Sequence, residues 1–391
     1  MLWLIIRWAL LLFALAPFFY YLGATIAALR FFRCPASPAA AGNFTPPVSI
    51  LKPVRGLDRD AYENFASFAR QDYPEFEILF NVADDHDPAI PVIQKLITDF
   101  PLVPIRLFTG CEQLGTCQKV NKLVRLAGNA RHDLLVISDS DIRVDPDYLR
   151  AVSAPFQDPA VGLVTCLYRG LTPASLAAEL EAIGISSDFD AGVLSAWQLG
   201  DIDFALGATM ATTKARVAAI GGWRALVNFF CDDYELGNRI ARSGYRVELS
   251  PYPVCTVFSS QTLGESFRHQ VRWNLSLRYS RPLGHFGLIV THGLPWAILA
   301  AAIAPSAAIS VAYLVAYLLF RSLMAWTVGV RGVGDQLLRR RMWLLPIRDV
   351  FAFAVWVASF FHNRIEWRGS HYTIRDKQLV PVETPAASSP R

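Results

Sequence analysis

The chain has 391 residues, 53% of them hydrophobic and only 18% charged, with a mean hydropathy of +0.30. That is apolar for a purely soluble protein, and the excess gathers in separate stretches, which predicts membrane segments rather than one large core. The formal charge of +4 is mild and no basic run alternates with aromatics, so nucleic acid is excluded as a partner. The six cysteines form no CxxC pair and stand at no zinc spacing from a histidine, so they read as reduced thiols of a cytosol-facing domain.

Residues 2–29 are apolar apart from Arg7, long enough to cross a bilayer and without the short, cleavable core of a signal peptide. Arg30 and Arg33 follow, which places the next part of the chain in the cytosol. An N-terminal anchor at 1–33 and a Pro/Ala/Gly-rich linker at 34–46 are therefore expected. Strands are predicted at 47–53, 77–83, 104–108, 133–138 and 161–167. Helices are predicted at 61–71, 90–100 and 119–130. This alternation describes a doubly wound α/β sheet, in which ligands gather at the carboxyl ends of the strands. Two acidic clusters stand at such ends: Asp84-Asp85-His86-Asp87 and Asp139-Ser140-Asp141. There is neither a GxGxxG after the first strand nor a GxxxxGK[ST], so the usual dinucleotide and P-loop sites are not indicated.

The pattern then loosens. A mixed helical stretch covers 172–200, and 204–212 reads as a strand with Gly207 at a close backbone approach. Asp232-Asp233 precedes a helix predicted at 234–243, and a strand follows at 246–249. The α/β domain thus runs over 47–284. Residues 286–320 are almost uncharged and too long for one span, so a pair of spans turning at Pro305-Ser306 is expected. The membrane region covers 285–363 and includes a basic cytosolic loop at 331–348. Residues 350–361 are apolar but short, which suits a re-entrant or interfacial segment. A tail at 364–391 completes the chain, its end expected to be disordered.

Asp139 and Asp141 suit Mg²⁺ or Mn²⁺, hard cations that take oxygen ligands and offset the charge growing on a departing nucleoside diphosphate. The competing reading is that one of them caps a helix or turn. Asp84 and Asp87 can accept the imide N–H of a uracil base, or simply face solvent in a turn. Lys119, at a helix start, suits a diphosphate or is an ordinary surface lysine. Asp233 is the candidate general base for an attacking hydroxyl, with Asp232 its competitor and helix capping the alternative. Arg272 and Trp273 can hold a diphosphate and stack on sugar or apolar surface, and His269 adds a donor.

The set Val48-Ser-Ile-Leu-Lys-Pro-Val-Arg-Gly56, Gln71-Asp-Tyr-Pro74, Asp139-Ser-Asp-Ile-Arg-Val144, Asp232-Asp-Tyr234, Arg272-Trp273 and Trp367-Arg-Gly-Ser-His-Tyr372 resembles the inverting, membrane-bound glycosyltransferases of the GT-A fold, and more closely the ceramide glucosyltransferase family. It is also similar to hopanoid glycosyltransferases. The resemblance implies an α/β GT-A domain, the nucleotide-diphospho-sugar transferase fold, flanked by N-terminal and C-terminal transmembrane helices. It implies a UDP-sugar donor bound by Lys52, Pro53, Asp84, Asp87, Lys119, Asp139, His269, Arg272 and Trp273. A metal would sit at Asp139 and Asp141, with Asp233 as the base and a membrane lipid as the acceptor. UDP-glucose and ceramide are the expected pair. A hopanoid or other lipid with UDP-N-acetylglucosamine, a processive polysaccharide synthase and a non-catalytic membrane scaffold are the alternatives. The expected location is integral to a membrane such as the bacterial inner membrane, with the catalytic domain cytosolic. Two departures leave the donor sugar open. His269 stands where the family has Gln or Arg, and no histidine lies near Ser186-Ser187-Asp188, where the animal enzymes carry one.

Overall fold

Ile50 and Leu51, neighbours in the first strand, point to opposite faces of the central sheet, and both are fully buried. A sheet covered on both sides needs such continuous apolar runs. In the computed structural model, which describes residues 1–33, 44–200, 202–367 and 370–381, this sheet has eight strands. They are β1 Val48–Pro53, β2 Phe76–Val82, β3 Ile105–Thr109, β4 Leu134–Ser138, β5 Ile142–Arg143, β6 Val161–Leu171, β7 Thr209–Thr213 and β8 Arg246–Val257. Their order is β3-β2-β1-β4-β7-β6-β8-β5. One face packs Ile50, Phe65, Phe80, Ile93 and Val136. The other packs Leu51, Leu79, Leu123, Ile137, Met210 and Leu236.

The first four strands in that order are parallel, as the strand–helix alternation predicts. The doubly wound reading fails beyond β4. There β7 runs antiparallel to both β4 and β6, and β6 pairs in parallel with β8. The predicted strand at 204–212 shortens to Thr209–Thr213, because the residues before it form a loop closed by a bridge between Leu206 and Thr209. Both β6 and β8 run longer than predicted, since their mutual pairing continues past register shifts.

Residues 176–198 are helical throughout, with a π-helical turn at Ile185–Phe189 between Leu176–Gly184 and Asp190–Gln198. The helix Leu263–Ser280 starts from a capping box in which Thr262 and Glu265 satisfy each other's backbone amides. Among the described residues, three helical stretches are long and apolar enough to cross a membrane: Leu2–Phe31, Ala307–Gly332 and Gln336–Ser359. A further pair, Pro282–Val290 and Gly293–Ile303, passes the same test jointly but is bent by 42°. The expected basic loop at 331–348 is therefore helical from Gln336, with Arg339, Arg340 and Arg341 inside the helix. The short segment expected at 350–361 is the end of that longer helical stretch.

A buried ionic network binds these helices to the α/β domain. Arg321 pairs with Asp349 at 2.9 Å and with Asp188, and Arg348 donates to Asp188 at 3.0 Å. Tyr317 donates to Asp349 at 2.8 Å, and Arg348 reaches Gln270 on the helix Leu263–Ser280. The tail is not uniformly irregular. Strands β9 Arg364–Trp367, β10 Ser370–Arg375 and β11 Gln378–Pro381 form a second antiparallel sheet. The expected disorder after Val380 falls almost wholly outside the described residues, as does most of the 34–46 linker.

Candidate active site

The carboxyl ends of β1 and β4 lie side by side, and their sequences end in Lys52-Pro53 and Ser138-Asp139. Lys52 is fully buried, stacked 3.7 Å over the Phe68 ring. It donates to the Asp139 carbonyl at 2.7 Å and to Ser138 Oγ at 3.3 Å. Burial pushes its ammonium down to about 7, against the opposing pull of Asp139, Asp141 and Asp58. Lys52 therefore braces the Asp-Ser-Asp turn from beneath. Ser140 at the centre of that turn donates to Asp58, a carboxylate the sequence reading did not single out. Burial, then Asp139 and Asp58, push the Asp141 carboxyl up to about 7.

Lys119 lies in the first turn of the helix Gln118–Asn129 and joins this turn to the opposite wall. Its Nζ is 2.8 Å from Asp139 and 3.7 Å from Asp232. Burial works against its charge, but Asp139, Asp232 and Asp233 outweigh burial and hold it protonated. The facing helix begins two residues earlier than predicted, at Asp232–Arg242, so Asp232, Asp233 and Glu235 occupy its first turn. There the helix dipole favours negative charge. Asp232 is buried while Asp233 is half-exposed, accepting its neighbour Tyr234 N–H at 2.7 Å. Burial, then Asp232, push the Asp233 carboxyl up to about 6, with Lys119 opposing. A Cβ on Gly207 would come within 2.9 Å of Asp233 Oδ2, so the missing side chain leaves room for that carboxylate.

Tyr168 on β6 lies close enough to feel Asp233, Asp139 and Asp141. It also joins the cluster of Ala182, Ile185 and Phe258 on which Trp273 packs. The Arg272-Trp273 segment is thus carried to the same region. The His269 ring lies 4.7 Å from that of Trp273, and its Nδ1 is 2.6 Å from Glu181. Glu181 is 1% exposed and also accepts from Ser266 at 2.8 Å and Gln261 at 2.7 Å. No sequence signal marks Glu181, which sits in an apolar helix 88 residues from its partner.

The two aspartates after β2 differ. Asp84 is exposed at the strand end, its Oδ1 accepting from His86 N–H at 2.9 Å. Asp87 is buried and accepts from the backbone amides of Gly56 at 3.0 Å and Ala89 at 2.9 Å. Its carboxylate is engaged in shaping the loop after β1, while Asp84 keeps an oxygen facing outward. Asp85 and His86 are exposed.

A parallel half-sheet joined to an antiparallel one, with an Asp-Ser-Asp turn at the junction and a second acidic helix start across from it, is the arrangement of the GT-A fold. The model of glycosyl transferase family 21 matches residues 6–380, and the chain belongs to that family. It is 27% identical over 229 residues to ceramide glucosyltransferase 3 of Caenorhabditis elegans, covering 58% of this chain and 50% of that protein. It is 35% identical over 120 residues to the ceramide glucosyltransferase of Gibberella zeae, covering 28% of this chain and 23% of that one. The aligned stretch spans about half the length of the Caenorhabditis relatives. Among solved structures, a mannosyltransferase of Pyrobaculum calidifontis in complex with GDP-Man and Mn²⁺ superposes with a TM-score of 0.51 at 18% identity. That alignment covers 90% of this chain and 99% of the other, and it supports the fold.

Proposed function

We propose that this glycosyltransferase moves a hexose from a UDP-sugar to a hydroxyl of a membrane lipid with inversion, using UDP-glucose and ceramide. The observation that carries the reading is the half-exposed Asp233, held at about 6 beside the Lys119–Asp139 pair. A base that is ionised at neutral pH yet still avid for a proton suits abstraction from an alcohol. The relatives named ceramide glucosyltransferase support the acceptor. The apolar helices packed against the domain support delivery of that acceptor from a bilayer.

In this reading Asp233 accepts the proton of the lipid hydroxyl as its oxygen attacks the anomeric carbon. Lys119 and Arg272 bind the diphosphate, and Trp273 closes over the sugar. Asp84 takes the uracil imide. Lys52, Pro53 and Asp87 hold the loops around the donor, and His269 adds a donor from the helix carrying Arg272. The donor set at Asp139 and Asp141 fits Mg²⁺ or Mn²⁺, because adjacent carboxylates that repel one another are relieved by a cation. Asp139 and Asp141 are the residues that would hold the ion. Such an ion supplies charge to offset the leaving diphosphate.

The test is transfer by membranes containing the chain, with a panel of UDP-sugars crossed against ceramide and hopanoid acceptors and read by lipid mass spectrometry. Glucosylceramide is the expected product. A hopanoid product, or none, would overturn the assignment of the acceptor. Asp233→Asn should abolish transfer while UDP still binds, and EDTA should stop transfer until Mg²⁺ or Mn²⁺ is returned.

A further inference from the structure

The segment after the last apolar helix returns to the α/β domain. Strands β10 and β11 are joined by Asp376 and Lys377, whose φ angles are +48° and +64°. Two successive left-handed residues make the tight turn that matches strand twist, usually with Asn-Gly. Lysine rarely adopts that conformation, and strain of this kind persists where surrounding contacts hold it. Here the turn is docked. The Lys377 carbonyl accepts the Phe230 N–H at 2.9 Å, and the Leu379 N–H donates to the Asn228 carbonyl at 2.9 Å. Phe229 bridges to Gln378 between them. Lys377 Nζ lies 3.6 Å from the Glu235 carboxylate and 5.4 Å from the centre of the Tyr234 ring. Ile374 and Leu379 pack with Phe230 and Cys231.

The pinned residues lead directly into Asp232-Asp233. Their other side holds the loop that leads to Lys119. Thr116 N–H donates to Asn228 Oδ1 at 3.1 Å, and Cys117 N–H to the Val227 carbonyl at 2.7 Å. One short strand of chain, 227–230, therefore sits between the hairpin tip and the approach to the lysine that faces Asp139.

We propose that the C-terminal hairpin is a clasp that positions the catalytic carboxylate, with Lys377 as a positioning residue acting through Glu235 and Tyr234; this rests on the reading of Asp233 as the base. The clasp fixes the first turn of the helix Asp232–Arg242 against Lys119. It therefore governs turnover more than donor affinity, because it pins the helix of Asp233 directly, whereas Lys119 lies on the separate helix Gln118–Asn129 and is held to Asp139 at 2.8 Å.

The experiment uses the full chain in detergent. Lys377→Glu sets a negative charge against Glu235. It should lower kcat at least about tenfold, as misplacement of a catalytic group does, with the UDP dissociation constant within about twofold of the parent. Amide hydrogen exchange should quicken at Phe230 and residues 232–235 while β1 to β4 stay unchanged, and Lys377→Arg should restore both readouts. Wild-type kcat and exchange in Lys377→Glu would overturn the proposal, as would UDP affinity falling in step with kcat. Lys377→Ala is the milder variant if the glutamate prevents folding, and wild-type kcat and exchange there would overturn it equally. Failure of the base assignment shows separately, as turnover by Asp233→Asn; the exchange readout does not depend on that assignment.

Discussion

Removing the Lys119 charge should move the pH dependence of transfer. With the Asp233 carboxyl at about 6, kcat/KM should rise on an acid limb centred there, since only the ionised form accepts a proton. About a tenth of the base is ionised at pH 5 and about nine-tenths at pH 7, so the limb spans roughly a tenfold change. Lys119 opposes the upward shift of Asp233 and lies 3.7 Å from the adjacent Asp232. At an effective dielectric of about 20, unit charges about 4 Å apart interact by about 4 kcal/mol. Asp233 feels a fraction of that, and even a third corresponds to about one pKa unit. In Lys119→Met the acid limb should therefore move up by about one to two units, and activity at pH 7 should fall through loss of ionised base as well as weaker donor binding. The assay is kcat/KM against pH in solubilised enzyme, using the donor and acceptor found in the panel. An active Lys119→Met whose acid limb coincides with the parent's would refute the reasoning.

Gly207→Ala sets a methyl 2.9 Å from Asp233 Oδ2 and should turn the carboxylate aside; kcat should fall about tenfold with little change in melting temperature, checked by steady-state kinetics beside thermal melts. Glu181 is burdened by burial, yet hydrogen bonds from His269, Ser266 and Gln261 hold its carboxyl below the ordinary 4.5. A depressed carboxylate contributes stability above its unfolded value and loses it as pH falls through the folded one. The stability gap between the parent and Glu181→Gln should therefore be fully present at neutral pH and shrink below pH 4.5, read from melts across pH. Arg321→Met leaves the buried Asp349 without its cation, while Asp188 keeps Arg348, and should cost about 3–5 kcal/mol, seen as a large drop in melting temperature, whereas an unchanged melt would remove the network from the account of stability.

The parallel half of the sheet was readable because each of its strands is an apolar run cut off by polar residues at its carboxyl end. Asp139-Ser140-Asp141 stood out for the same reason. The antiparallel half was not readable in this way. Strand β7 has five residues, Thr209–Thr213, and its direction follows from which strands it meets rather than from its composition. The helix starts at Asp232, two residues before its predicted start; apolar periodicity begins only after Tyr234, although acidic residues are at home in a first turn. Glu181 and Arg348 reach the helix of His269 and Gln270 from 88 and 78 residues away, and nothing local announces such pairs. The C-terminal sheet escaped because strands as short as four residues, β9 and β11, carry too little alternation to register.

The docked tail also settles a question of parity. Lys377 and Leu379 bond to the surface that carries Asp233, so both ends of the intervening chain lie on one side of any bilayer. The number of crossings between Arg281 and Arg364 is then even. Three apolar stretches compete for them: the bent pair Pro282–Val290 and Gly293–Ile303, then Ala307–Gly332, then Gln336–Ser359. The last is tied along the Arg272 helix, from Arg348 at Gln270 to the Ser359 carbonyl, which accepts from Arg278 at 2.7 Å. Of the three unbroken stretches it is also the most buried within the protein, 39% against 22% for Leu2–Phe31 and 17% for Ala307–Gly332. A reporter fused after Arg391 and one inserted near Leu199 would share a compartment.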